Sequence, residues 1–108
     1  FTNITVHCFL DFGGDTYSYD NNGIHADPKP DAWRTQCVPI NCGDNCYDED
    51  VAKKKINDDK SSGKWDGDDY RFFKHNCCHW VDNALRGMGC NGVESHFPGY
   101  SLPSHPTY

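Results

Sequence analysis

Seven cysteines in a chain of 108 residues constrain the fold more than any other feature. A chain this short buries only a small hydrophobic core, and such domains commonly gain stability from disulfides formed in an oxidising compartment. Three bridges would use six sulfurs and leave one cysteine as a thiol or as half of an intermolecular bridge. We therefore expect one domain over residues 1–108, stapled by about three disulfides among the cysteines at 8, 37, 42, 46, 77, 78 and 90.

Secretion is indicated by a second, weaker signal. Asn3-Ile4-Thr5 is an N-glycosylation sequon. The sequence contains neither a signal peptide nor a membrane-spanning run, as expected of a mature chain that begins at Phe1. A net charge of −6 argues against nucleic acid and anionic membranes as the main partner. We expect a secreted, monomeric glycoprotein.

A glycine pair near the start of the chain predicts a β-hairpin. Residues 4–12 and 15–20 have strand-like composition, and Gly13-Gly14 suits a two-residue turn. In that register Phe12 faces Asp15, and His7 lies opposite Asp20 on the same face. A shift of one residue would place Tyr19 opposite His7 instead.

The middle of the chain is expected to be less regular. Residues 21–46 carry several prolines and three cysteines, which predicts a long loop held by disulfides. A surface helix is expected to begin with Asp48 as its N-cap and to end near Lys60. Residues 65–73 are expected to form a turn and a short strand, and the tail from His96 to be extended.

A clearer helix follows Asn76, which is a suitable N-cap. Its apolar residues repeat at helical spacing, and Gly87 and Gly89 mark its end. The fold class is therefore α+β: a small antiparallel sheet packed on a helix that carries a cysteine at its N-terminus. The residues of the apolar face are Cys77, Val81, Ala84, Leu85 and Met88.

Cys77 is the candidate nucleophile. In the first helical turn, the helix dipole and the unbonded backbone N–H groups favour the thiolate, and the same N–H groups would suit a developing oxyanion. Cys78 is turned about 100° away around the helix, and we expect it to be structural.

The base is expected to come from the hairpin. His7 interrupts an otherwise apolar strand, and Asp20 opposite it would hold the imidazole in one tautomer, as in a catalytic triad. His79 is too close to Cys77 along the helix to meet it, and is expected to face solvent or pack locally. Four histidines in loop or tail contexts are weaker candidates for the base: His25, His75, His96 and His105.

Two stretches, residues 6–17 and 70–85, resemble the circularly permuted papain-like superfamily, which includes NlpC-type amidases and peptidases and the lecithin:retinol acyltransferase-like enzymes. The acyltransferase-like group typically reads Asn-Cys-Glu-His-Phe-Val where this chain has Asn76-Cys77-Cys78-His79-Trp80-Val81, so four of six positions agree. The resemblance covers under half of the chain. It implies Cys77 as nucleophile, His7 as base and a third polar residue near Tyr19 or Asp20.

The resulting hypothesis is a thiol hydrolase that cleaves an amide, for example in a peptide or a peptidoglycan stem, with Cys77, His7 and Asp20 as catalytic residues and no cofactor or metal. One alternative is a lipid acyl hydrolase or acyltransferase of the same fold, favoured if Phe72, Phe73 and Trp80 are exposed. Another is a non-enzymatic disulfide-rich effector or antimicrobial module in which Cys77 is structural.

Two further patterns in the sequence point to other functions. Residues 42–47 are similar to the opening of small fungal guanyl-specific ribonucleases, but Arg86, Glu94 and His96 do not follow the order that those enzymes require. The acidic run 66–69 has the oxygen ligands that Ca²⁺ prefers but is too short for an EF-hand loop, so a solvated turn is expected there.

Overall fold

A computed structural model describes residues 7–12, 15–28, 37–40 and 49–102. Three strands come first, followed by helices. The elements are β1 (Leu10–Phe12), β2 (Asp15–Asp20), β3 (Gly23–Pro28), α1 (Glu49–Ser61), a 3₁₀ helix (Gly67–Asp69), α2 (Cys77–Gly87) and α3 (Val93–His96). The α+β class and the small antiparallel sheet are as expected from the sequence.

The first hairpin has the expected register. β1 pairs antiparallel with β2, with Leu10 opposite Tyr17 and Phe12 opposite Asp15. The pairing begins at Leu10, so His7 lies ahead of the strand and is not a ladder partner of Asp20. The turn itself lies outside the described residues.

The expectation of an irregular segment directly after Asp20 is wrong, because β3 occupies its first part. β3 pairs antiparallel with β2 and completes the sheet order β1-β2-β3. Asn21 and Asn22 form a two-residue turn, and the Asn22 N–H donates to the Asp20 carboxylate at 2.8 Å. Gly23 follows with φ +89°, a conformation that glycine adopts at little cost.

The two long helices lie close to their expected positions. α1 has mostly exposed residues, and Ala52 and Ile56 form its buried stripe. Its expected N-cap, Asp48, lies outside the described residues. α2 begins directly after Asn76, whose side-chain oxygen accepts from the N–H groups of Cys78 and His79 at 2.9 and 3.1 Å. The Asn76 N–H in turn donates to His79 Nδ1 at 3.0 Å, which completes a capping box.

α2 is buried on more sides than a single apolar stripe would give. His79, Trp80 and Asp82 are all fully buried. The Trp80 indole N–H donates to the buried Asp59 carboxylate at 3.0 Å and so joins α2 to α1. The expected strand within 65–73 is replaced by the 3₁₀ helix, after which a tight turn is closed by a single bridge between Arg71 and His75.

Within the described part of the chain one disulfide pair is seen, where about three bridges were expected. Cys8 is bonded to Cys78, which confirms that Cys78 is structural, and Cys90 is also disulfide-bonded. Both Cys37 and Cys77 are thiols. Cys42 and Cys46 lie outside the described residues.

No helix in the described part of the chain is long and apolar enough to cross a membrane. The sequon at Asn3 lies outside the described residues.

Candidate functional site

The Cys77 thiol lies at the first position of α2, where the helix meets the segment that carries His7. Its side chain is buried, with 4% of the residue exposed. The backbone N–H of Cys8 donates to Cys77 Sγ at 3.4 Å. The sulfur therefore contacts a residue 69 positions earlier in the chain and directly after the candidate base.

A disulfide holds these two segments together. Cys8 follows His7, Cys78 follows Cys77, and Cys8 and Cys78 are bonded with their Cα atoms 4.8 Å apart. The candidate base and the candidate nucleophile thus each adjoin one half of the same bridge. The negative charge of Asp20 acts on both His7 and Cys77, so both residues lie near that carboxylate.

The expected activation of Cys77 by the helix N-terminus does not dominate. Burial raises the pKa of the Cys77 thiol, and N–H groups of Cys8, Cys78 and Cys77 itself only partly offset this effect. The negative charge of Asp20 raises the thiol pKa further. Because the low-dielectric surroundings disfavour the thiolate, the resting group is a neutral thiol that needs a base.

The backbone donors differ from the expected ones as well. The N–H groups of Cys78 and His79 donate to the Asn76 side chain, since the N-cap satisfies them. The N–H of Cys8 points at Cys77 Sγ from outside the helix. Among these groups, the Cys8 N–H is the better candidate for an oxyanion donor.

His7 has the protonation behaviour of a base at neutral pH. Desolvation lowers its pKa, although part of its surface stays open to solvent, while the charges of Asp20 and Asp27 act in the opposite direction. Its ring also lies 6.2 Å from that of Phe9, tilted by 34°. A neutral imidazole can accept a proton from a thiol.

Asp20 is held in place by two donors. Its carboxylate accepts from the Asn22 N–H at 2.8 Å and from His25 Nε2 at 2.7 Å. Burial alone would raise its pKa, but these bonds and the charges of His25 and His7 lower it overall. Asp20 therefore stays ionised and acts on His7 by charge.

His25 is a site residue that sequence reasoning gave low weight because its segment was expected to be a loop. On β3 it faces the same side as Asp20, and its ring nitrogens contact two carboxylates. Nε2 lies 2.7 Å from Asp20 Oδ2, and Nδ1 lies 2.9 Å from Asp27 Oδ2. If residues 23–28 are taken as a strand, the two-residue spacing of His25 and Asp27 predicts that both side chains lie on one face of the sheet.

Tyr19 is turned away from this cluster. It is fully buried, its hydroxyl lies 2.9 Å from the Asp66 carbonyl and 3.2 Å from His75 Nδ1, and its ring meets Trp65 edge to face. Of the two positions considered for the third polar residue, Asp20 is the one near His7.

Two tyrosines lie close to Cys77. Burial is the main cause of the raised pKa values of Tyr70 and Tyr100, and the charge of an ionised Cys77 is the next. Both phenols therefore lie close enough to Cys77 for a negative charge on the sulfur to raise their pKa values.

The remaining candidates have local roles. His79 is fully buried and accepts the Asn76 N–H, so it packs locally and does not face solvent. The residues of the ribonuclease-like set bond to partners outside that set: Arg86 bonds Asp82, His96 bonds the Gly92 carbonyl, and Glu94 accepts from the Leu102 N–H. Among the described residues, no group of three or more histidine, cysteine, aspartate or glutamate side chains is arranged to hold a metal ion.

Comparison of the chain with protein-family models, with curated proteins and with solved structures finds no match.

Proposed function

We propose that this chain is a secreted thiol hydrolase that cleaves an amide bond in a peptide or a peptidoglycan stem. The observation that carries the proposal is the contact of the Cys8 N–H with Cys77 Sγ at 3.4 Å, beside the Cys8–Cys78 bridge. The proposal is supported by the charge of Asp20, which acts on both the Cys77 thiol and the His7 imidazole. The resemblance to permuted papain-like enzymes agrees with these roles.

Acylation begins from the neutral pair. His7 takes the Cys77 thiol proton as the sulfur attacks the carbonyl carbon of the amide, and the oxyanion that forms accepts from the Cys8 N–H. The tetrahedral adduct then collapses. The C–N bond breaks, the imidazolium of His7 gives its proton to the leaving amine, and a thioester remains on Cys77.

Deacylation repeats these steps with water. His7 removes a proton from the water that attacks the thioester, and the second adduct releases the carboxylic acid. The proton returns to Cys77 and restores the thiol. Asp20 stabilises the imidazolium in both halves through its negative charge, the role of the third member of a triad.

The test is amide hydrolysis of purified peptidoglycan or its stem peptides, followed as newly released amino groups. The wild-type chain and the Cys37→Ser variant should release amines at equal rates, because Cys37 is an exposed thiol outside the site. The Cys77→Ser variant should lose nearly all of the activity. Equal release by Cys77→Ser and wild type would reject the proposal in favour of a structural Cys77.

A second candidate, a lipid ester as substrate, is favoured by one observation. Phe72 and Phe73 are 57% and 65% exposed, and their rings meet edge to face at the turn before α2. The third residue of that expectation, Trp80, is fully buried and contributes nothing. An acyl group on Cys77 after incubation with phospholipid vesicles, but not with peptidoglycan, would favour this candidate over the first.

A further inference from the structure

His25 lies between two carboxylates, those of Asp20 and Asp27. It lies on β3 opposite Ser18, while Asp20 is two residues further along β2 and Asp27 is two residues further along β3. Alternation along antiparallel strands places all three side chains on one face of the sheet. His25 is half-buried, so its bonds are partly shielded from solvent.

The geometry fixes the hydrogen-bonding pattern. Each ring nitrogen of His25 lies within 2.9 Å of a carboxylate oxygen. A neutral imidazole has one N–H and could donate to only one of these carboxylates, whereas an imidazolium donates to both. The ring is therefore best satisfied as a cation between two anions, with a combined charge of −1.

We propose that His25 is a positioning residue, which as an imidazolium donates to Asp20 and Asp27 and so fixes the Asp20 carboxylate beside His7. The catalytic consequence rests on the proposed hydrolase function, but the bonding itself does not. With the Asn22 N–H on the other oxygen, Asp20 is then held from two sides. The imidazolium of His25 also lies between Asp20 and Asp27, so it reduces the repulsion between these two carboxylates near His7.

The substrate-independent test is NMR of the intact chain labelled with ¹⁵N at histidine. Asp20, Asp27 and His25 are the charges that act on His7: the two carboxylates raise its pKa and His25 lowers it. His25→Gln should therefore raise the pKa of His7, and Asp27→Asn should lower it. His96→Gln, whose ring bonds the Gly92 carbonyl elsewhere, should leave it unchanged.

The same spectra directly test the two hydrogen bonds that His25 donates to Asp20 and Asp27. At pH 6 and low temperature, both ring N–H protons of His25 should be visible because hydrogen bonds slow their exchange with water. A single protonated nitrogen, or a His7 pKa that does not move in His25→Gln, would overturn the proposal even if the protein proves to be a hydrolase.

The kinetic test asks whether positioning matters for the reaction. His25→Gln should lower kcat by about a hundredfold with little change in KM, since a misplaced orienting group costs that much in enzymes. His25→Arg, a cation that can donate to both carboxylates, should recover part of the loss. Activity lost in Cys77→Ser but unchanged in His25→Gln would retain the hydrolase and reject the role of His25.

Discussion

Cys8 and Cys78 are joined by a disulfide that closes a loop with a sequence separation of 70. Their chain neighbours are His7 and Cys77, so one covalent bond joins the two segments that carry the groups on which the proposed chemistry depends. The fold has only a three-stranded sheet and a small core. The bond also stabilises this fold because it reduces the conformational entropy of the unfolded chain.

Removing the bridge should therefore cost stability. A loop of this length is worth about 4 kcal/mol in the chain-entropy account, so the Cys8→Ser/Cys78→Ser variant should unfold at a much lower guanidinium concentration. The measurement is the unfolding midpoint without reductant. Cys37→Ser, which removes a thiol and no bridge, is the control and should match wild type. An unchanged midpoint in the double variant would show that the bridge does not stabilise the fold.

The raised pKa of Cys77 predicts slow alkylation at neutral pH. In the Cys37→Ser background only Cys77 can react as a thiol among the described cysteines. Because burial raises the pKa of Cys77 above the ordinary 9.0, its rate of reaction with iodoacetamide should keep rising beyond that pH. A plateau reached below pH 8 would instead indicate a thiolate stabilised by the helix N-terminus.

Much of the hairpin and of α2 could be predicted from sequence, for local reasons. A two-residue turn predicted at Gly13-Gly14 gives the register that is found, with Leu10 opposite Tyr17, and Asn76 caps the helix through contacts within three residues. These features depend on neighbours along the chain. β3 was missed because prolines and cysteines further along made the whole of 21–46 look irregular, and His25 was missed with it.

The electrostatics of the site could not be predicted in the same way. The helix N-terminus favours a thiolate at Cys77, and that effect is visible in the sequence. Desolvation opposes it, and desolvation is set by how the fold packs around the sulfur, with Tyr70 and Tyr100 among its neighbours. Only the tertiary structure reveals which effect is larger.

A matched pair of carboxylates on α1 tests how the two long helices are held together. Asp59 is buried and bonds both Lys55 Nζ at 2.8 Å and the Trp80 indole N–H at 3.0 Å, so Asp59→Ala should cost about 1–3 kcal/mol. Asp58 forms the same i,i+4 pair with Lys54, but both are exposed, and Asp58→Ala should cost less than about 0.5 kcal/mol. Urea unfolding measures both, and equal losses would contradict this account.

The stability of the fold should fall in mild acid through His75. Its ring stacks on Trp65 at 4.1 Å, and burial lowers its pKa below the ordinary 6.5. The unfolded chain then binds a proton first, so stability declines as the pH falls through 6.5 and levels off below the folded pKa. The decline between pH 7.5 and 5 should be shallower in His75→Gln. An identical pH profile in the two proteins would rule out this contribution.

The most direct test of the central claim is to trap the acyl-enzyme. The Cys37→Ser variant is mixed briefly with peptidoglycan stem peptide, quenched in acid and mapped by mass spectrometry. The proposed mechanism predicts an added acyl mass on the peptide that carries Cys77, removed by hydroxylamine and absent from Cys37→Ser/Cys77→Ser. Hydrolysis of the stem amide that proceeds equally in both variants, with no acyl mass on Cys77, would contradict Cys77 as the nucleophile.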